Sequence, residues 1–211
     1  MAERDAPYFK VTHDHEKKIS IGDARRAIYI DFEGFEKKAP SLLGVACEDE
    51  FYQVVLDEEL AGAADAKKIP YMSGKVLMES LLERACLESR MIVAYSAHEK
   101  EQCMKWYGLD ISKYYVNANI VTKKWKKKSY AQTGNRITGL KDCLKLIGYE
   151  RGDYLGVQQS TQRIKSVAKM LNRRGSYDAL TPTTKAKWTK LLEHNKIDVE
   201  GMRYLILNVL L

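Results

Sequence analysis

The stretch Ala27-Ile28-Tyr29-Ile30-Asp31-Phe32-Glu33-Gly34-Phe35 constrains this chain more than any other. It reads as a buried β-strand that carries two carboxylates. Side chains alternate along a strand, so Ile28, Ile30 and Phe32 share one face while Tyr29, Asp31 and Glu33 share the other. Residues two apart lie roughly 6.6 Å apart along the strand, so both acids can reach around one point from the same side. Two carboxylates about 4 Å apart, at an effective dielectric near 20, repel by about 4 kcal/mol. A cation at that point turns the penalty into attraction, and acid-any-acid at a strand end suits Mg²⁺ or Mn²⁺, which take oxygen ligands. An edge strand with its polar face in water is the alternative account of the same pattern.

A chain of 211 residues can bury a sizeable core within one domain. The net charge of +7 favours a polyanionic partner, nucleic acid first. Cys47, Cys86, Cys103 and Cys143 are scattered without metal-binding spacing, which suggests neither a zinc site nor a disulfide framework. The segment Met1-Ala2-Glu3-Arg4-Asp5 is too polar for a signal peptide, and no apolar run reaches the length of a membrane span. The expectation is a soluble, cytoplasmic protein of a reducing compartment, with no membrane partner; protein partners are not readable.

Residues 1–26 read as a polar N-terminal arm, and residues 27–211 as the folded domain. Ser41–Ala46 and Glu50–Leu56 are expected to follow the first strand as an antiparallel meander. Ser73 is the expected N-cap of a helix to about Ser89, with Val76, Leu77, Leu81 and Leu82 inward. A short strand over Met91–Tyr95 precedes a helix over His98–Tyr107, and Tyr114–Trp125 fits no single element. Helices are predicted over Thr138–Ile147, closed by Gly148, and over Gln158–Asn172. A last helical region runs from about Thr183 to Leu210, with a break near Asn195. Strands first, then alternating helix and strand, then helices, describe an α/β domain whose mixed sheet has antiparallel first strands and a parallel crossover strand, flanked by helices.

Two further signals accompany the first strand. Over residues 194–210, His194, Asp198, Met202, Leu205 and Val209 recur on one helical face, with Glu200, Arg203 and Asn208 towards solvent. An aspartate on a core-facing stripe is costly unless something pairs with it. A metal shared with Asp31 and Glu33 would do so; capping a new helix after Asn195 is the other account. In Ile92-Val93-Ala94-Tyr95-Ser96-Ala97-His98-Glu99-Lys100, a buried strand runs into a helix start. Glu99 there is either a favourable charge at a helix N-terminus or a fourth carboxylate of the same cluster.

Asp31-Phe32-Glu33-Gly34, Tyr95-Ser96-Ala97-His98-Glu99-Lys100 and His194-Asn195-Lys196-Ile197-Asp198-Val199-Glu200 resemble, in order and placement, the three motifs of the DEDD-type 3′→5′ exonucleases of the RNase H-like superfamily. Gly139–Tyr149 is similar to the family's helix before the third motif. The second motif usually carries Asp where this chain has Glu99, although some RecB-associated and uncharacterised nuclease branches use Glu. The third motif usually carries Tyr four residues before the Asp, or His one residue further back; here His194 stands at the tyrosine spacing.

The resemblance implies an RNase H-like nuclease domain over residues 27–211, in which Asp31, Glu33 and Asp198 hold one Mg²⁺ or Mn²⁺. Asp31 would bridge to a second ion held otherwise through water and by Glu99. Two such ions stabilise the attacking and leaving oxygens of a phosphodiester displacement. His194, one helical turn from Asp198, would sit beside them, and an imidazole suits general-base work.

Lys123-Lys124-Trp125-Lys126-Lys127-Lys128-Ser129-Tyr130 sets five lysines around two aromatic residues, a pattern in which lysines track phosphates while rings stack on bases. A solvated loop or a nuclear localisation signal is the other reading. Arg163, Lys165, Lys169, Arg173 and Arg174 extend the surface, or fill an exposed helix face.

The expected activity is metal-dependent phosphodiester hydrolysis, as a 3′→5′ exonuclease acting on a single-stranded end of DNA or RNA. A structure-specific endonuclease using the same site is the enzymatic alternative. A catalytically silent nucleic-acid-binding module is the non-enzymatic one.

Overall fold

The computed structural model describes residues 18–35, 37–134, 137–150, 152 and 159–211. Strands β1 (Ile28–Gly34), β2 (Pro40–Cys47), β3 (Glu50–Val55), β4 (Ile92–Ala94) and β5 (Tyr115–Asn117) form one mixed sheet in the order β3-β2-β1-β4-β5. The expected meander is there: β1 pairs antiparallel with β2, and β2 with β3. On the other side β4 runs parallel to both β1 and β5. Strand β1 is therefore central, which removes the edge-strand account of its acids.

The alternation in β1 sorts its residues as the sequence dictates. Ile28, Ile30 and Phe32 join Leu43, Val45 and Val54 under Leu77, Met78, Leu81 and Ala85 of helix α3 (Gly74–Leu87). Tyr29 faces the other way, among Ala46, Val93 and Val116, against Val199, Met202 and Ile206 of the C-terminal helix. Asp31 and Glu33 share the face of Tyr29, so they lie under that helix and not in water. Val76 departs from its expected inward position and is exposed, and Ser73 occupies the N-cap of α3 without a side-chain cap bond.

The chain order of the helices is α1 (Ile21–Arg26), α2 (Ala61–Asp65), α3, α4 (His98–Gln102), α5 (Ala118–Val121), α6 (Lys123–Thr133), α7 (Leu140–Leu146), α8 (Ser160–Arg174) and α9 (Pro182–Leu210). Helix α4 continues as a π-helical turn over Cys103–Tyr107. The ambiguous segment 114–125 resolves into β5, α5 and the start of α6, and Gly148 follows α7 at φ +70°, as a left-handed terminator should. Gln158, expected to begin α8, lies outside the described residues.

Two expectations need correction. The boundary of the arm at residue 26 falls too late, because α1 belongs to the body: Ala24 is fully buried, and Tyr29 donates a hydrogen bond to its carbonyl at 2.8 Å. Residues 1–17 of that arm lie outside the described residues. The second correction is that α9 is unbroken at Asn195. Thr181 caps its start by accepting from the Thr184 N–H, and Pro182 suits the first turn. Asn195 is fully buried and spends its amide on the sheet below, so it neither caps nor interrupts the helix. Asp198 is consequently a mid-helix residue, and its capping account falls. Arg203 is only half-exposed, with a buried Nε, so it is less of a solvent position than its spacing suggests. Among the described residues no helix is long and apolar enough to cross a membrane.

The close approach of α9 to the sheet depends on Gly44. It pairs with Asp31 across β1 and β2, and a Cβ there would run into the Asn195 amide. Gly44→Ala should destabilise the protein by about 1–3 kcal/mol, the usual cost of overpacking. It should also lower any activity that depends on Asp31. Thermal melting checks the first effect, and an unshifted midpoint would show that α9 can lift without cost.

Candidate active site

Strand β1 carries Asp31 in its central pairing region and Glu33 just before a register shift at Glu33/Gly34. Such irregularities re-aim side chains at the ends of pairing. Asp31 is held from above. Asn195 Nδ2 donates to Asp31 Oδ2 at 2.9 Å and to the Asp31 carbonyl at 3.0 Å. Gln53 of β3 in turn donates to Asn195 Oδ1 at 2.8 Å and to the Leu192 carbonyl at 2.9 Å. A chain of amides thus runs from β3 through α9 to the carboxylate in β1. Neither Asn195 nor Gln53 was expected from sequence. The available signal was an Asn placed four residues before Val199 and seven before Met202, on the buried stripe of α9.

Glu33 is held from the side. Its Oε1 accepts from Ser160 Oγ at 3.0 Å, and Thr161 Oγ1 donates to the Gly34 carbonyl at 3.0 Å, so the start of α8 is pinned to the end of β1. His194 Nε2 lies 3.1 Å from Asp198 Oδ2, one turn along α9, and 3.9 Å from Glu33 Oε1. Ligand atoms of Glu33, His194 and Asp198 all fall within 4.8 Å of one another. Glu99, in the first turn of α4, is 5% exposed and accepts from Ser96 Oγ at 3.4 Å. That burial argues against a purely solvated helix-terminal charge.

Electrostatics tie the four acids together. Burial holds the Asp31 carboxyl well above its ordinary range, and the charges of Glu33, Asp198 and Glu99 push it the same way against the Asn195 hydrogen bond. Burial raises Glu33 to about 7, with Asp198 adding to the rise, while His194, the Ser160 hydroxyl and Arg163 oppose it. Burial raises Glu99 to about 7 as well; its hydrogen bonds pull it down and Glu33 pushes it up. The end of β1 and the middle of α9 thus meet at Glu33, His194 and Asp198, while Asp31 and Glu99 lie outside that 4.8 Å group and act on it through their charges. Arg163 is only 4% exposed, not on the surface its spacing suggests; it donates to the Gln159 side chain at 3.1 Å, and its charge adds to that of His194 in lowering Glu33.

The basic segment is elsewhere and is a helix, not a loop. Lys123, Lys124, Lys127 and Lys128 are exposed along α6, and Tyr130 is 54% exposed. Trp125 packs half-buried against the cluster of Cys143, Leu144 and Leu205, so its ring is not the open stacking platform that was expected. Lys126 is half-buried too; it donates to Asn119 Oδ1 and lies 5.9 Å from the Tyr95 ring centroid.

Comparisons of the chain with protein-family models, with curated proteins and with solved structures find no match.

Proposed function

We propose that this protein is a metal-dependent nuclease that hydrolyses phosphodiester bonds, acting as a 3′→5′ exonuclease on single-stranded ends. The observation that carries the reading is the grouping of the Glu33, His194 and Asp198 ligand atoms within 4.8 Å of one another, with Asp31 on the same face of β1 and the buried Glu99 near enough for its charge to act on Asp31. The motif resemblance to DEDD-type exonucleases names the same five residues.

The donor set fits a hard divalent cation. It is dominated by carboxylate oxygens. Burial and neighbouring charges raise the carboxyls of Asp31, Glu33 and Glu99, a cost of ionisation that a nearby cation offsets. Asp31, Glu33, Glu99 and Asp198 would hold a pair of Mg²⁺ or Mn²⁺ ions, with His194 at their edge. Bound there, such ions supply Lewis-acid stabilisation of phosphoryl oxygens and ease the ionisation of water.

The chain's own groups supply the rest. Asn195 and Ser160 fix the two β1 carboxylates, so that their geometry is set before substrate arrives. His194 Nε2, 3.1 Å from Asp198 Oδ2, stands at the edge of the carboxylates, where a neutral imidazole would take the proton of the attacking water on its Nε2 lone pair once a cation engages Asp198. The four free cysteines suit a reducing, intracellular setting.

His194→Ala should lower kcat by about 10²–10⁴, the usual worth of a general acid or base, while metal binding persists. An unchanged kcat would return His194 to a packing role.

The decisive assay incubates the protein with end-labelled linear and circular oligonucleotides in Mn²⁺ or in chelator. The expected result is metal-dependent shortening of the linear strand from its 3′ end, with the circle left intact. Cleavage of the circle would make the same site an endonuclease. No cleavage of any substrate would leave a nucleic-acid-binding module.

A further inference from the structure

A groove of about 1010 Å³ opens beside Glu33 and runs between the β1–β2 connection and α8. Its volume is at the upper end of the roughly 300–1,000 Å³ of ligand pockets. Lys37 and Lys38 line one wall, and Lys165 and Lys169, one helical turn apart on α8, line the other. All four are exposed. Lys38 Nζ lies 5.3 Å and Lys165 Nζ 5.9 Å from the centroid of the Phe35 ring, so the charges of the two walls converge over a common floor. Among the described residues, Lys37, Lys165 and Lys169 make no ion pair. Among the described residues the ion-pair partner of Lys38 is Glu59, at 3.5 Å in an exposed contact of little worth. No residue of α6 lines this groove.

We propose that this groove is the channel for the sugar-phosphate backbone of a single-stranded polynucleotide, with Lys37, Lys38, Lys165 and Lys169 tracking successive phosphates towards Glu33. The inference rests on the nuclease reading for its direction, but not for its binding. A polyanion lying along the groove with its end at Glu33 would find lysines on both walls and the Phe35 ring as floor, an arrangement that holds single strands without reading sequence. The α6 lysines, which the sequence singled out, are then dispensable for this contact.

The test is binding of fluorescent oligo-dT and oligo-rU by the full chain in chelator, where cleavage is suppressed. Lys165→Gln with Lys169→Gln, and separately Lys37→Gln with Lys38→Gln, should each weaken binding about tenfold at about 100 mM salt and flatten the slope of log K against log salt by about 1.4. Arginine at the same four positions should preserve affinity. Replacing Lys123, Lys124, Lys127 and Lys128 together with Gln should leave both quantities near wild type. Wild-type affinity and slope in both groove variants, an equal loss in the α6 variant, or no binding by the wild-type protein would each overturn the proposal. Cleavage is scored separately: intact binding losses with no cleavage would sink the nuclease reading and leave the groove standing. Metal-dependent cleavage with unaffected groove variants would do the reverse.

Discussion

Asp31→Asn should abolish metal-dependent cleavage while leaving the fold at least as stable as the wild type. The substituted amide keeps the shape of the carboxylate, and its oxygen can still accept the Asn195 Nδ2 hydrogen bond that now measures 2.9 Å. What it removes is a buried ionisable group whose charged form is disfavoured by burial and by repulsion from Glu33, Asp198 and Glu99. In the metal-free protein that repulsion is a cost, so the midpoint of thermal unfolding in chelator at neutral pH should stay level or rise. In the metal-loaded protein proposed above the same charge would be a metal ligand, so activity should fall by at least about 10²–10³, the loss seen when one group stabilising a charged transition state is deleted. Opposite signs for stability and activity separate a metal ligand from a structural acid, whose loss would lower both. Retained cleavage by a pure Asp31→Asn preparation would sink the mechanism.

The legible parts of this protein were those in which one segment carries its own signal. Alternation in β1 fixed which residues face which side, and the two acids stood out because a central strand has no other use for them. Asp198 is legible as an acid on a stripe where burial is expected, whereas Glu99 taken alone reads as a favourable charge at a helix start, and its burial comes only with the fold. Asn195 was not legible in its role, because an Asn within a helical pattern reads as a weak point until its amide is seen to bridge Asp31 and Gln53, 164 and 142 residues away. Gly44 was invisible for the same reason: its necessity comes from what packs above it. The basic run at 123–128 drew attention because its charges are contiguous, yet contiguity on a helix scatters them around the axis and turns Trp125 and Lys126 inward. The groove beside Glu33 takes its lysines in two pairs separated by more than 120 residues, a grouping that only the tertiary fold creates.

In metal-free solution the protein should lose stability as pH rises from about 4.5 to about 7, and excess Mn²⁺ should restore it above that range. The sign follows from proton counting. Glu33 and Glu99 ionise near 4.5 when unfolded but are raised to about 7 in the folded chain. Between those values the folded state binds more protons than the unfolded state, so stability falls with rising pH, and the loss is complete once pH passes the folded value. Moving one carboxyl from 4.5 to about 7 corresponds to about 3 kcal/mol, and for a chain of this size that lowers the melting midpoint by roughly 6–12 °C. A divalent ion that binds only the folded, ionised site reverses the trend, adding about 2.7 kcal/mol at a hundredfold excess over its Kd. The pH 7.5 midpoint should therefore climb with Mn²⁺ while the pH 5 midpoint barely moves, because protonated carboxyls are poor ligands. Glu99→Gln should flatten the metal-free pH profile and shrink the Mn²⁺ response together. Two melting series, one in chelator and one in Mn²⁺, decide the matter: a metal-free midpoint that is level from pH 5 to 7.5, or no rise with Mn²⁺ at pH 7.5, would mean that the four acids are not poised for a cation.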